Sequence, residues 1–220
     1  MPLSRLLTTF ALLVAGTVCA AAGDARHAAL QPQIVPLPQA APAFSAHLVA
    51  IGGTAPPVGY VRFCAENASD CQMRGEILFE MPLDRERWSE LEQVNRTLNS
   101  DIEPMTDLDH YGETERWTYP TDGKGDCEDY VLAKRKVLLA KGWPASVLLI
   151  TVVRDKEGDG HAVLTVVTDR GDLVLDNQEA EILPWQDTGY RYVKRQSQGD
   201  PNLWVSLGET RSPPVVGGGR

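Results

Sequence analysis

The sequence predicts an α+β fold in which helices come first and then pack on an antiparallel β-sheet. Three observations carry this expectation. Two stretches with helical periodicity, 84–102 and 128–141, precede any long strand pattern. A run of β-branched and apolar segments follows, at 147–153, 161–168 and 173–177. The turns between those segments, Asp155–Gly160 and Thr168–Asp172, are short and polar, and connections that short join antiparallel neighbours.

Each element has a local reason. Asp84 is a good N-cap, and Trp88, Leu91, Val94 or Asn95, Leu98 and Ile102 recur at helical spacing. In the second helix Tyr130, Ala133, Val137 and Ala140 line one face, and Leu132, Leu138 and Leu139 widen the apolar surface. A helix this apolar is expected to be buried. Gly142 and Pro144 stop it. Tyr190–Lys194 and Leu203–Leu207 add edge strands.

The chain has 220 residues and a formal net charge of −9. The acidic balance excludes a nucleic-acid binder, which needs a basic stripe. Residues 1–22 read as a signal peptide: Arg5 supplies the positive start, Leu6–Val18 the apolar run, and Ala20–Ala22 the small residues suited to cleavage. Val18 stands where a lipid-attachment signal wants a small residue before Cys19, so ordinary cleavage is expected. The apolar run is too short for a comfortable membrane span, so no stable membrane insertion is expected after cleavage. Residues 23–50 are rich in Ala, Pro and Gln and read as a linker. Residues 51–210 then form the folded domain, and 211–220 a loose tail.

Export leaves three cysteines. Cys64 and Cys71 lie seven residues apart in a loop-like stretch and are expected to pair in an oxidising compartment. The alternative pairs Cys127 with one of them. With Cys64 and Cys71 paired, Cys127 is a free thiol, and it stands directly ahead of the second helix in Gly125-Asp126-Cys127-Glu128-Asp129-Tyr130. Helix N-termini favour a thiolate and present N–H groups that can form part of an oxyanion hole.

His161 begins a strand and Asp176 ends one. Singly, His161 reads as a core histidine and Asp176 as a turn or cap residue. In order with Cys127 they supply a nucleophile, its base and the base's orienter. Side-chain alternation tests the pair. A turn centred on Arg170-Gly171 leaves the two on one face but four residues apart, about 13 Å. A turn at Thr168-Asp169 places them opposite. The pair therefore demands a tighter register or a bulge.

Asp126, Glu128 and Asp129 crowd the thiol and raise its pKa. They either stabilise the helix start or hold a hard cation such as calcium, with further oxygens from Asp122 or Asn177. Such a cation would cancel the acidic field. No second cysteine or histidine lies at metal-ligand spacing beside Cys127, and no organic cofactor motif is present.

The ordered motifs Gly125–Tyr130, His161-Ala162-Val163-Leu164 and Leu175-Asp176-Asn177, with Trp117, Pro120 and the Val94-Asn95…Asn99 helix, resemble the bacterial transglutaminase-like cysteine proteinase family. The resemblance spans about residues 50–207. It implies a papain-like or transglutaminase-like core, with Cys127 as nucleophile, His161 as base and Asp176 as orienter. The LapG-type periplasmic branch implies more: a surface adhesin as protein substrate, calcium at Asp126, Glu128 and Asp129, and an inner-membrane regulatory receptor. The Cys64/Cys71 loop and the Ile182–Trp185 and Tyr190–Tyr192 stretches depart from that branch. The expected function is a periplasmic cysteine peptidase. An acyl transferase on the same triad, whether crosslinking or amine-acylating, and a non-catalytic periplasmic binding module are the alternatives.

Overall fold

A computed structural model describes residues 40–73, 75–208 and 216–217. The expected signal peptide, the linker up to residue 39 and most of the expected tail lie outside the described residues.

In chain order the elements are β1 (Gly52–Thr54), α1 (Val58–Glu66), α2 (Arg85–Asp101), β2 (Glu103–Pro104), α3 (Asp107–Tyr111), β3 (Lys124–Gly125), α4 (Cys127–Ala140), β4 (Leu148–Arg154), β5 (Gly160–Thr168), β6 (Gly171–Leu175), β7 (Leu183–Pro184), β8 (Arg191–Gln196) and β9 (Trp204–Ser206). Among the described residues, β1-β9-β8-β4-β5-β6-β7 form one antiparallel sheet, and β2 and β3 pair separately in parallel. The fold is α+β, with helices packed on an antiparallel sheet.

Both expected helices form. Asp84 caps α2 through its carboxylate, which accepts the Arg87 N–H at 2.8 Å. Trp88, Leu91 and Val94 bury the α2 stripe. α4 is buried along most of its length, including Glu128, Asp129 and Lys134. Its Val131, Leu132 and Leu138 share one core with Ala162, Leu164, Val166, Leu173 and Leu175 of the sheet. Val153, Val163 and Val174 point the other way and pack with Leu48, Tyr190 and Tyr192. Alternation along β5 thus divides the sheet into a helix-covered face and a strap-covered face.

Part of the expected linker makes that strap. The Ser45 N–H donates to the Arg170 carbonyl at 2.8 Å. The Leu48 N–H donates to Asp172 Oδ2 at 3.0 Å, and Leu48 is buried. The Ala/Pro composition conceals this attachment because it lacks periodicity; one apolar side chain and one buried carboxylate make it. A disulfide joins Cys64 to Cys71, with Cα atoms 5.7 Å apart.

The β5–β6 hairpin positions the site. Thr168 pairs with Gly171 and Leu164 with Leu175, so the loop is Asp169-Arg170. This register lies midway between the two considered from sequence. Continued by one rung, it sets Asp176 across from Val163, two residues along from His161 on the same face. Diagonal neighbours at that offset lie within reach of long side chains, and no bulge is needed.

Candidate active site

Gly125 opens the entry to α4 by close approach: a Cβ there would stand 2.6 Å from Asp129 Oδ2. The helix start is then held in place. Asp129 Oδ1 accepts the Thr118 N–H at 2.8 Å, and the Tyr130 hydroxyl donates to the Ile102 carbonyl. Cys127, the first residue of α4, is a free thiol and buried. Its sulfur accepts the Ala162 N–H at 3.2 Å and donates its proton to Glu128 Oε2 at 3.2 Å.

His161, near the start of β5, places Nε2 2.8 Å from Asp176 Oδ1. Both residues are buried. Three further groups fix the carboxylate and its backbone. The Gln178 N–H donates to Asp176 Oδ1 at 2.9 Å, the Tyr190 hydroxyl to Oδ2 at 2.7 Å, and Asn99 Nδ2 to the Asp176 carbonyl at 2.7 Å. Burial is the largest influence on Asp176 and would raise its pKa. The bonds from His161, Gln178 and Tyr190 outweigh it and hold the carboxyl below its ordinary value. Tyr190 also sets its ring edge-on to the imidazole, with centroids 5.7 Å apart.

With Nε2 engaged by the carboxylate, Nδ1 is the nitrogen left to serve a proton transfer. It faces the Gln178 amide at 3.4 Å. Among the described residues no hydrogen bond joins this imidazole to the Cys127 sulfur. Both groups line one cleft of about 400 Å³, together with Asp126, Asn177, Gln178 and Gly217. A larger hollow of about 760 Å³, between Ile77, Tyr119 and Trp143, contains none of these reactive groups.

Acidic side chains surround the thiol. Asp107, Asp126 and Glu128 bring carboxylate oxygens within 4.8 Å of one another, and all three are buried. Asp129 lies outside this group of three: its Oδ1 accepts the Thr118 N–H, while its Oδ2 is buried with no hydrogen-bond partner among the described residues; Asp122 pairs with His110 at the surface. Burial, with Asp107 charge added, pushes Asp126 up to about 7. Burial and the Asp126 charge push Glu128 well above its ordinary value. The thiol is likewise driven up, first by burial and then by Glu128 and Asp126. Among the described residues, oxygens of Asp126 and Glu128 (Oδ1 and Oε1) are buried without a hydrogen-bond partner, as is Asn177 Oδ1 on the cleft wall. Buried carboxylate oxygens left without partners suit a hard cation.

Residues 50–212 match the family model described as bacterial transglutaminase-like cysteine proteinase. The chain belongs to this family. It is a cysteine peptidase of the transglutaminase-like kind, and its substrate is a protein. Solved structures of LapG from Legionella pneumophila are similar. The calcium-bound form is 27% identical over 59% of this chain and 75% of that one, with a TM-score of 0.47. A second LapG structure is 24% identical over 71% and 92%, with a TM-score of 0.46, and an EGTA-treated form is 23% identical over 69% and 87%, with a TM-score of 0.45. No curated protein matches the chain. Among the described residues no helix is long and apolar enough to cross a membrane.

Several site groups have no signal in the sequence. Asp107 lies 19 residues ahead of Asp126, and the β2–β3 pairing brings their segments together. Tyr190 reaches Asp176 from the segment leading into β8. Gln178 follows the β6 strand by the geometry of its turn. Trp117 is a core residue: it is buried, edge-on to Tyr60, and its Nε1 donates to Glu115 Oε1 at 2.8 Å.

Proposed function

We propose that Cys127, His161 and Asp176 are the catalytic triad of this peptidase, acting on a peptide bond of a periplasmic or surface protein. The observation that carries the reading is the buried His161–Asp176 pair at 2.8 Å, with His161 lining the same cleft as a free cysteine at a helix N-terminus.

In this reading the His161 Nδ1 takes the thiol proton, and the Cys127 sulfur attacks the scissile carbonyl. The C–N bond breaks, the imidazolium returns its proton to the leaving amine, and a thioester remains. Water activated by the same nitrogen hydrolyses that thioester and regenerates the thiol. Asp176 keeps the imidazole oriented and stabilises its charged form. The N–H groups of Cys127 and Glu128 precede the first bonds of α4, which Asp129 and Tyr130 make to the Asp126 carbonyl, and in this reading they stabilise the oxyanion. Catalytic hydrogen bonds commonly close only when substrate is bound, which fits a thiol donating to Glu128 in the free protein.

Asp107, Asp126 and Glu128 would hold calcium, an all-oxygen set with buried partnerless atoms. A bound calcium ion would supply positive charge that cancels the acidic field around the thiol. In the same reading, residues 1–22 direct export and are removed, the residues that follow link, and 51–210, with the strap at Ser45–Leu48 packed on them, form the peptidase domain in the periplasm. A surface adhesin as substrate and an inner-membrane receptor as regulator complete it.

The test compares wild type with Cys127→Ala on periplasmic and surface extracts, with EGTA and with added calcium. Fragments present only with the wild type, lost in EGTA and restored by calcium support the reading; identical fragment patterns overturn it. Incorporation of a labelled amine in place of cleavage would assign the triad to acyl transfer.

A further inference from the structure

Two residues expected in the loose tail pack against the site, Val216 in the core beneath it and Gly217 in the cleft wall. The Val216 N–H donates to Glu115 Oε2 at 2.7 Å, and its side chain is buried in the core cluster that includes Cys127. The Gly217 N–H donates to the carbonyl of Gly160, the residue before His161, at 3.3 Å. Gly217 lines the same cleft as Cys127 and His161. Its φ is +86°, and a Cβ there would stand 2.5 Å from Asp126 Oδ2 and 2.6 Å from Glu128 Oε2. Backbone donors, an apolar pocket and a steric limit therefore act on two consecutive residues. Main-chain bonds to a strand end with side-chain pockets beside them are a general way to hold an extended peptide.

Building on the peptidase reading above, we propose that the groove beside Cys127 binds a peptide carrying an apolar residue followed by glycine, and that Val216–Gly217 is this chain's own occupant of it. Glu115 and the Gly160 carbonyl hold the peptide backbone. Asp126 and Glu128 form the wall that admits glycine and excludes any side chain. The bound segment covers the approach to the thiol and must leave before a protein substrate enters.

The experiment measures the rate at which iodoacetamide alkylates Cys127 in the full chain. Gly217→Ala adds a methyl group where the wall leaves no room. It should speed alkylation roughly tenfold, the factor that corresponds to about 1.4 kcal/mol of lost occupancy. Val216→Asp, which removes the apolar anchor, should do the same, and thermal melts establish that both variants fold. The peptide Pro-Val-Val-Gly-Gly, with the sequence of residues 214–218, should slow alkylation of Gly217→Ala back toward the wild-type rate. Its Pro-Val-Val-Ala-Gly analogue should not. Wild-type rates in both variants, or equal effects of the two peptides, would overturn the proposal. Alkylation does not require hydrolysis, so a failure of proteolysis in extracts would leave this result readable by itself.

Discussion

Removing one hydroxyl should weaken the His161–Asp176 pair without disturbing its packing. Tyr190→Phe keeps the ring that stands edge-on to His161 but deletes the O–H that donates to Asp176 Oδ2 at 2.7 Å. Asp176 is 2% exposed, so water has little access to the vacated oxygen. A hydrogen bond to a charged group contributes about 1.5–3 kcal/mol, which corresponds to about 1–2 pKa units for the carboxyl. For a domain of this size that loss lowers Tm by about 3–12 °C. The pH dependence follows from the depressed folded-state pKa of Asp176. Its contribution is complete above the unfolded carboxyl pKa and is lost as pH falls through the folded value, so the deficit of the variant is full at neutral pH and narrows below about pH 4. Urea unfolding of both proteins from pH 7 down to pH 3 measures this. With Asp176 as the orienter of the proposed triad, turnover should fall roughly tenfold in kcat with KM unchanged, because in that role the carboxylate stabilises the imidazolium and does not touch substrate. No deficit at pH 7, or a deficit of the same size at every pH, would refute the reasoning.

Two further outcomes follow from buried charge. Lys134 is fully buried, its Nζ has no hydrogen-bond partner among the described residues, and burial lowers its pKa to about 7 despite the nearby charge of Asp176. Between that value and the ordinary 10.5 the unfolded chain binds more protons, so wild-type stability should rise with pH across this window. Lys134→Met should remove that rise and be the more stable protein at pH 6, as read from denaturant midpoints; matching pH profiles would contradict this. Calcium at about 100 times its Kd should stabilise the wild type by about 2.7 kcal/mol, and Asp126→Asn should abolish the shift. A melt unmoved by calcium, or moved equally in both proteins, would count against the acidic site.

The long elements were legible because their patterns are local. Periodicity and caps placed α2 and α4 within a residue or two, and β-branched runs placed β4 and β5 nearly as well; β8 and β9 were expected at an edge but lie inside the sheet, between β1 and β4. Short elements were not. α1 starts behind Pro56-Pro57 with no side-chain cap bond, and β1 to β3 are two or three residues long. The hairpin register was bracketed and not resolved, since Asp-Arg-Gly-Asp accommodates several turns and only packing selects among them. Cys127, His161 and Asp176 stood out by residue type and order. Asp107, Tyr190 and Val216–Gly217 did not, because each reaches the site through contacts distant in sequence, and an isolated aspartate, tyrosine or glycine carries no pattern. Asp126 and Glu128 come together near the thiol. Asp129, one residue further from the cysteine, gives one carboxylate oxygen to the Thr118 backbone, set by the direction of its side chain on the first turn of α4.

The most direct measurement of the central claim is the pH dependence of Cys127 alkylation in the calcium-supplemented protein, compared with His161→Ala. The account predicts an inflection below the ordinary thiol value of 9.0 in the wild type, displaced upward when the imidazole is removed. A single inflection at or above that value, the same in both proteins, would contradict a thiol activated by His161.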